Sequence, residues 1–415
     1  MLSIRYIILL VFLFLGRSAT DIKQGDKPAE KRTEQGSISL PFTMANKVII
    51  LPVQINGSDS LKFIFNTGLD NSIICELDTN EVLDLKHARK VQLSGTGQSK
   101  PLDAIQSTGN RMQVGDLIIE HQDYLILTNN MLQLTRKMGT KINGMLNAQA
   151  FSAYIIEIDY ERQQLIIYQP GYFWKHKSLD GYATLQMEIM DGIPLVNATI
   201  FPEKRTSYPV RLILDTGAGN ALILKAGTLP GYTLPAASRD CYLGCGINGN
   251  IRGKVGRIWG VDLGPFHLGD VPVSYPDSQA FLPEVTFPRQ NGSLGSEFLR
   301  RFDMILDFPG KKIHIKPNSN FEDVFHYDMS GLEILVPVPD EHRYIIGNIR
   351  AGSGAESAGI RTGDEILSIN GIPSARLSLD EIYNKLLGKA GTKIRMVLLR
   401  EDKRLRASFR LERYI

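Results

Sequence analysis

Cysteine is scarce in this chain, with 3 residues among 415, at Cys75, Cys241 and Cys245. So small and odd a number argues against a fold held together by a network of disulfides. Cys241 and Cys245 are close enough in sequence to pair, although the same spacing is common between unpaired thiols. No His/Cys cluster has the spacing of metal ligands, and no His-Glu-x-x-His motif occurs. We therefore expect no metal and no cofactor.

Charge of one sign and long apolar runs are also lacking. The formal net charge is +3 and no long basic run occurs, which argues against a nucleic-acid partner. The apolar run 7–15 is too short to span a bilayer comfortably. It follows Arg5 and precedes small residues that end at Ala19, the order of a secretory signal peptide over residues 1–20. An uncleaved membrane anchor is the alternative.

Cleavage of such a signal would leave an exported protein, periplasmic or extracellular, with no integral membrane span. Residues 21–38 are polar and rich in Lys and Glu, which predicts a disordered leader. After that, short apolar or alternating runs separated by Gly, Asn and Asp predict strands. Helical periodicity is scarce before residue 375, so the pattern indicates a mostly β fold.

A repeat inside the chain carries the most information. The stretch Leu61–Gly68 resembles Val210–Gly217, since both are apolar runs that end in a polar-Thr-Gly turn. A second pair, Asn143–Leu146 and Asn291–Leu294, recurs at nearly the same offset of about 149 residues. Two motifs that repeat at one offset indicate a duplicated unit. We place the two copies at residues 39–170 and 171–325.

This repeated pattern resembles the pepsin-like and retropepsin-like aspartic proteases. More narrowly, the chain is similar to exported bacterial proteins that join two such lobes to a PDZ domain. The resemblance implies a bilobal pair of β-barrel domains, each contributing one Asp-Thr/Ser-Gly loop. The two aspartates of such a pair hold the attacking water and share a proton, because like charges so close together cannot both ionise.

The catalytic-loop positions implied by the resemblance are Asn66, Thr67 and Gly68 in lobe one, and Asp215, Thr216 and Gly217 in lobe two. Lobe one thus carries an amide in place of a carboxylate. Asn imitates a protonated Asp as a hydrogen-bond donor, but it cannot relay a proton. Loss of a positioned acid or base removes about 10²- to 10⁴-fold in rate. We therefore expect a slow or inactive peptidase, in which Asp215 titrates as an ordinary, more acidic carboxylate.

The segment that packs behind each loop departs from the family pattern at the same place. Ser293–Gly295 fits it in lobe two, whereas lobe one has Asn147 where the final Gly is expected. Asn tolerates left-handed backbone, so the fold is expected to survive the exchange. In the alternative interpretation both loops are inherited scaffold without chemistry.

Two glycine-rich stretches suit the flap hairpins that cover substrate in such enzymes. The candidates are Gly95 and Gly97 in lobe one and Gly246 in lobe two. A plain hairpin loop is the alternative for each. The second stretch also matches Gly-x-Gly-x-x-Gly, but no βαβ unit surrounds it, which excludes a dinucleotide site.

The character of the sequence changes at residues 329–415. Ala358-Gly359, Gly363-Asp364 and Ile369-Asn370-Gly371 resemble the core of the PDZ domains of bacterial exported proteases, which are α+β. The resemblance implies capture of a C-terminal peptide by a strand edge and a backbone nest. We place the nest at Gly331 and Leu332, with a plain inter-domain turn as the alternative. A helix over 378–387, with Ile382 among its apolar positions, is expected to line the groove.

Three functions fit these observations. The first is an aspartic-type endopeptidase that hydrolyses peptides or unfolded proteins at an Asp/Asn site between the lobes. The second is a catalytically inactive pseudoprotease that binds peptides or proteins, because Asn66 replaces the first-lobe aspartate. The third is a homodimer that pairs Asp215 with its copy, for which two fused lobes have little geometric need.

Overall fold

The computed structural model describes residues 36–93, 102–130, 132–247, 249–278, 290–339 and 341–415. The segment predicted as a signal peptide, 1–20, and the leader up to residue 35 lie outside these ranges. Among the described residues, no helix has both the length and the apolar character needed to cross a membrane.

The first lobe consists mainly of strands with two short helices. Its elements are β1 (Ser37–Pro41), β2 (Thr43–Ala45), β3 (Val48–Ile55), β4 (Leu61–Asn66), β5 (Ser72–Ile74), β6 (Arg89–Leu93), β7 (Leu102–Val114), β8 (Leu117–Leu127), α1 (Leu134–Met138), β9 (Gly144–Asn147), β10 (Ile155–Asp159), β11 (Gln164–Tyr168) and α2 (Pro170–His176). Strand β1 begins within the segment predicted as leader and pairs with β11.

The second lobe repeats this plan. Its elements are β12 (Ala183–Met190), β13 (Ile193–Glu203), β14 (Thr206–Asp215), β15 (Leu222–Leu224), β16 (Arg239–Gly246), β17 (Gly249–Leu263), β18 (Phe266–Pro276), β19 (Gly292–Gly295), α3 (Ser296–Leu299), β20 (Phe302–Asp307) and β21 (Lys312–Pro317).

The strand order shows the duplication directly. In lobe one the sheet runs β3-β4-β9-β5-β8-β7-β6, and in lobe two the corresponding strands run β13-β14-β19-β15-β18-β17-β16. In each set an additional pairing, of β3 with β7 and of β13 with β17, closes the first six strands into a barrel, and the seventh strand, β6 or β16, extends beyond it. Closure leaves no open edge between those strands, and the inward side chains form the core of each lobe.

The two barrels share one further sheet. Its order is β1-β11-β10-β20-β21-β12, and it contains the closing hairpin of each lobe. The central pair is antiparallel, with Ile156 opposite Leu306. Both residues are buried in one hydrophobic cluster that extends through both lobes. The lobes are therefore joined by main-chain hydrogen bonds and by a common core.

The C-terminal domain is smaller and has its own hydrophobic core. Its elements are β22 (Leu332–Leu335), β23 (Ile345–Ile349), α4 (Gly354–Ser357), β24 (Glu365–Ile369), β25 (Ile372–Pro373), α5 (Leu379–Leu386), β26 (Lys393–Arg400) and β27 (Lys403–Arg410). Helix α5 starts where Ser378 and Glu381 form a reciprocal capping box. Its apolar positions, spaced as predicted, face the core. Two like β-barrels followed by an α+β domain confirm the fold class predicted from the sequence.

Candidate functional site

Asn66 and Asp215 occupy equivalent positions at the ends of β4 and β14. Each strand pairs in parallel with the packing strand of its own lobe, so that Asn66 lies beside Asn147 and Asp215 beside Gly295. The hydrophobic strand residues that precede each loop are buried, which fixes where the two loops emerge. Both polar side chains are buried as well, with exposures of 0% for Asn66 and 3% for Asp215.

Thr67 and Thr216 join the loops by a symmetric set of hydrogen bonds. The backbone N–H of Thr67 donates to the Thr216 hydroxyl at 3.1 Å, and that of Thr216 donates to the Thr67 hydroxyl at 3.0 Å. Each hydroxyl then donates to a carbonyl of the opposite strand, at Leu214 and Phe65 respectively. These buried bonds hold the two predicted loops together and fix their relative position.

Glycine is required after each Thr because the two loops cross closely. A Cβ added to Gly68 would lie 2.6 Å from Cγ of Asp215, and one added to Gly217 would lie 2.1 Å from Nδ2 of Asn66. The Asp215 carboxyl therefore packs against the first loop and the Asn66 amide against the second. The structure thus brings together all six loop positions that the sequence singled out.

The amide and the carboxyl are held in parallel ways. Oδ1 of Asn66 accepts a 2.7 Å bond from the Gly68 N–H, and Oδ1 of Asp215 accepts a 3.1 Å bond from the Gly217 N–H. Nδ2 of Asn66 is buried and has no hydrogen-bond partner among the described residues. Nδ2 can therefore still donate a hydrogen bond to a bound molecule. A protonated Asp at the same place could donate a hydrogen bond and could also transfer its proton, which the amide cannot do.

Asp215 is not the acidic carboxylate that the sequence predicted. Burial raises the pKa of its carboxyl to about 7, and the backbone N–H groups of Gly217 and Ala218 oppose this only in part. The amide of Asn66 removes a like charge, but it supplies no positive charge in its place. Loss of hydration therefore decides the direction of the shift.

Asn147 also differs from its expected conformation. Its backbone is extended, with φ −75° and ψ 144°, so tolerance of left-handed backbone plays no part. Its side chain instead accepts a 3.0 Å bond from Ser72 and donates a 2.9 Å bond to the Asp70 carbonyl. At the equivalent Gly295 a Cβ would lie 2.1 Å from the Asn220 carbonyl. Lobe one has made room for the larger residue and has bonded it to the loop.

Two charged features near the loops were missed from the sequence. Burial, together with the nearby Asp191, raises the pKa of Asp70 to about 7. Lys47 of lobe one lies 2.5 Å from Glu297 of lobe two, and Glu297 also pairs with Arg301 at 3.0 Å. Glu297 is fully buried, and Lys47, Arg300 (2.9 Å away) and Arg301 hold its pKa at about 2 despite the burial. No local signal links positions so far apart in the chain.

The flap candidates have different outcomes. Gly95 and Gly97 lie outside the described residues, between β6 and β7, which pair antiparallel up to Leu93 and Leu102. Gly246 ends β16, opposite Gly249 of β17. The neighbouring Ile247 is fully buried within a hydrophobic cluster made otherwise of lobe-one residues. This hairpin therefore inserts its tip into lobe one.

The candidates in the C-terminal domain lie at one edge of its sheet. Gly331, with φ +75°, lies in the loop that leads into the outer strand β22, and Leu332 is the first residue of that strand. The N–H of Gly331 donates to Oδ2 of Asp328 at 2.8 Å. Ile382 is fully buried in the core of the domain, on the helix that packs beside β22.

Cysteine and metal chemistry receive no further support. In the part of the chain that the structure describes, Cys75, Cys241 and Cys245 are all thiols, so no disulfide joins the last two. Among the described residues, no three His, Cys, Asp or Glu side chains are grouped as metal ligands.

Comparison with known proteins gives one firm assignment. The family model described as PDZ domain matches residues 345–400. The chain is 31% identical over 106 residues to the carboxyl-terminal-processing protease of Synechocystis sp., a stretch that is 26% of this chain and about a fifth (20%) of that protein. It also resembles the crystal structure of the aspartic proteinase from Irpex lacteus, with a TM-score of 0.43 and 13% identity over 69% of this chain and 99% of that one.

The likeness to the Irpex enzyme is too weak to carry an argument about this chain. The strand order and the hydrogen bonds of this protein itself establish the paired barrels and the duplicated loops. Residues 345–400 of this protein are a PDZ domain.

Proposed function

We propose that this chain is an exported peptide-binding protein, with the architecture of an aspartic peptidase and without efficient hydrolysis of its own. One observation carries the proposal. At the junction of the lobes the Asn66 amide, fixed by the Gly68 N–H, stands where a second carboxyl would share a proton with Asp215. The PDZ domain supplies a second peptide site, of a kind that binds C-terminal peptides.

The intact framework around Asn66 supports retention of binding. The threonine hydrogen bonds and the close approach of the loops at Gly68 and Gly217 fix the positions of Asn66 and Asp215. An extended peptide between the lobes would find a hydrogen-bond donor in Asn66 Nδ2 and an acceptor in the Asp215 carboxyl. Asn66 can neither take up nor give a proton, so Asp215 would have to act alone as both base and acid, and hydrolysis would be slowed about 10²- to 10⁴-fold.

A slow endopeptidase is the second candidate, and one observation favours it. The pKa of Asp215 at about 7 would let its carboxylate act as a general base near neutral pH, while Asn66 Nδ2 stabilised the oxyanion. Such an enzyme would work best at neutral to alkaline pH, unlike an aspartate pair that shares a proton.

Restoring the missing carboxyl tests the proposal. Reduced, carboxymethylated casein is incubated with wild type, with Asn66→Asp, and with the exchange variant Asn66→Asp/Asp215→Asn, at pH 3 to 8. We expect casein binding by all three, and cleavage only by Asn66→Asp, about 10²-fold or more above wild type. The exchange variant has the charge of wild type and serves as the matched control. Cleavage by wild type that Asp215→Ala abolishes would instead establish the endopeptidase.

A further inference from the structure

The outer strand of the PDZ domain does not present a free edge for peptide addition. Strand β22 pairs with β23 on one side only. On its other side the N–H of Ile334 donates to the Tyr383 hydroxyl at 2.9 Å, and that hydroxyl donates back to the Ile334 carbonyl at 3.2 Å. Two residues further along, the N–H of Val336 donates to the carbonyl of Arg136, in helix α1 of lobe one, at 2.8 Å.

The backbone nest at the start of β22 is also filled from within the chain. The N–H groups of Ser330 and Gly331 donate to the two carboxylate oxygens of Asp328, at 2.9 and 2.8 Å. Arg350 pairs with the same carboxylate at 2.6 Å. An internal carboxylate therefore lies where the C-terminal carboxylate of a peptide would be bound.

Helix α1 is held firmly at this position. Lys137, near its end, is 7% exposed, and its carbonyl accepts a 3.1 Å bond from the Asn46 side chain. Gly139 follows the helix with φ +67°, and a Cβ there would lie 3.1 Å from Leu379 and 3.3 Å from Val336 of the PDZ domain. Lobe one thus packs against both the edge strand and the start of the groove helix α5.

The same segment of lobe one leads into the junction of the lobes. Four residues after Gly139, Asn143 begins the run into β9, and β9 pairs with β4 up to Asn66. A displacement of α1 would act on the strand that supports the first loop. The two peptide sites of the molecule are therefore mechanically connected through a short stretch of chain.

We propose that the groove of the PDZ domain is held closed by lobe one of the same chain, and that a peptide with a free C-terminal carboxylate binds there only by displacing α1. Arg136 of lobe one occupies the N–H of Val336. Tyr383 and Asp328 occupy the groups of Ile334 and the nest from within the C-terminal part of the chain, and an entering peptide replaces these contacts once α1 has moved away. The inference deepens the proposed function, on which it rests for the second peptide site. Binding at that site then releases lobe one and loosens the support of Asn66.

A designed disulfide tests the closure directly. A Cβ built on Gly139 lies 3.5 Å from Cβ of Leu379, within the range that disulfides require. The full chain carrying Gly139→Cys/Leu379→Cys is compared oxidised and reduced, with Leu379→Cys alone as the control. The probe is a fluorescein-labelled decapeptide pool with randomised sequence, an apolar last residue and a free carboxylate, read by anisotropy.

We expect the oxidised double variant to bind none of the pool and the reduced form to recover binding. The single variant should be insensitive to oxidation. Equal binding by the oxidised and reduced double variant would overturn the proposal.

A wedge variant opens the same contact without a disulfide. Gly139→Arg forces a side chain between lobe one and the PDZ domain, whereas Gly57→Arg imposes a similar positive-φ strain at φ +80° with nothing within 4 Å. We expect Gly139→Arg to bind the pool about tenfold more tightly than wild type and Gly57→Arg to match wild type. Hydrogen exchange at the Val336 amide should accelerate in the first variant alone. Unchanged affinity in a folded Gly139→Arg would refute closure.

Failure of the proposed function can be told apart from failure of closure. Casein cleavage by Asn66→Asp reports on the junction of the lobes, and this substitution does not touch β22. The decapeptide pool and the designed disulfide report on the groove of the PDZ domain, so a failure of casein cleavage would leave the effect of the disulfide unaltered.

Discussion

The backbone N–H groups of Thr67 and Thr216, 149 residues apart in the chain, each donate to the hydroxyl of the other residue across the junction of the two lobes. Both side chains are about 1% exposed. The pair therefore links the two lobes by buried hydrogen bonds, and the symmetry of these bonds follows from the duplication of the chain.

Removal of the Thr216 hydroxyl should weaken this hydrogen-bonded link between the lobes measurably. Thr216→Val keeps the shape of the side chain but leaves the Thr67 N–H and the Phe65 carbonyl without their partner. Buried groups left unsatisfied in this way cost about 1–3 kcal/mol each. We expect Thr216→Val to lower the free energy of unfolding of the lobes by that order in urea titrations. Thr216→Ser retains the hydroxyl and should recover most of the loss, and an equal loss for both variants would contradict this role.

The carboxyl of Asp215 should make stability depend on pH. Its pKa of about 7 in the folded state exceeds the value near 3.9 of an unfolded Asp. The folded state therefore binds the extra proton, and this contribution to stability is present below about pH 4 and is lost as pH rises through 7. Relative to wild type, the free energy of unfolding of Asp215→Asn should rise by up to about 1.4 kcal/mol per pH unit between about pH 4 and 7.

Urea unfolding at pH 4.5 and 7.5 measures this difference. Asp59→Asn, at an exposed position, is the matched control. If the difference between Asp215→Asn and wild type were the same at both pH values, the folded-state pKa of Asp215 would not be raised.

The duplicated loops, the barrels and the PDZ domain were predictable because each depends on a short pattern of residues. Asn66 and Asp215 close similar apolar strands, and the strand order repeats accordingly. The pKa of Asp215 was not predictable, since a tripeptide does not reveal how deeply its carboxyl is buried. Lys47 with Glu297, and Arg136 with Val336, meet only after whole domains have docked. Neither the spacing of residues nor the composition of the chain predicts such contacts.

Because the two loops that carry Asn66 and Asp215 cross closely, we expect that Gly217 cannot be replaced without loss of stability. A Cβ there would lie 2.1 Å from Asn66 Nδ2, so Gly217→Ala must displace the amide or the loop. Overpacking of this kind costs about 1–3 kcal/mol or more. Gly227→Ala, in the same lobe with nothing within 4 Å, should change the unfolding midpoint very little. Similar midpoints for the two variants would show that the loops do not approach so closely.

The hairpin of lobe two should contribute to stability through lobe one. Ile247 is fully buried among lobe-one side chains, and truncation of a buried Ile to Ala costs about 2–5 kcal/mol. Ile247→Ala should therefore shift the urea midpoint of both lobes together, because the lost contacts bridge them. Ile372→Ala removes the same atoms at a site 38% exposed in the PDZ domain and should shift it far less. A midpoint for Ile247→Ala equal to that of wild type would place the hairpin tip in solvent, and Gly246 would then regain the freedom that a flap requires.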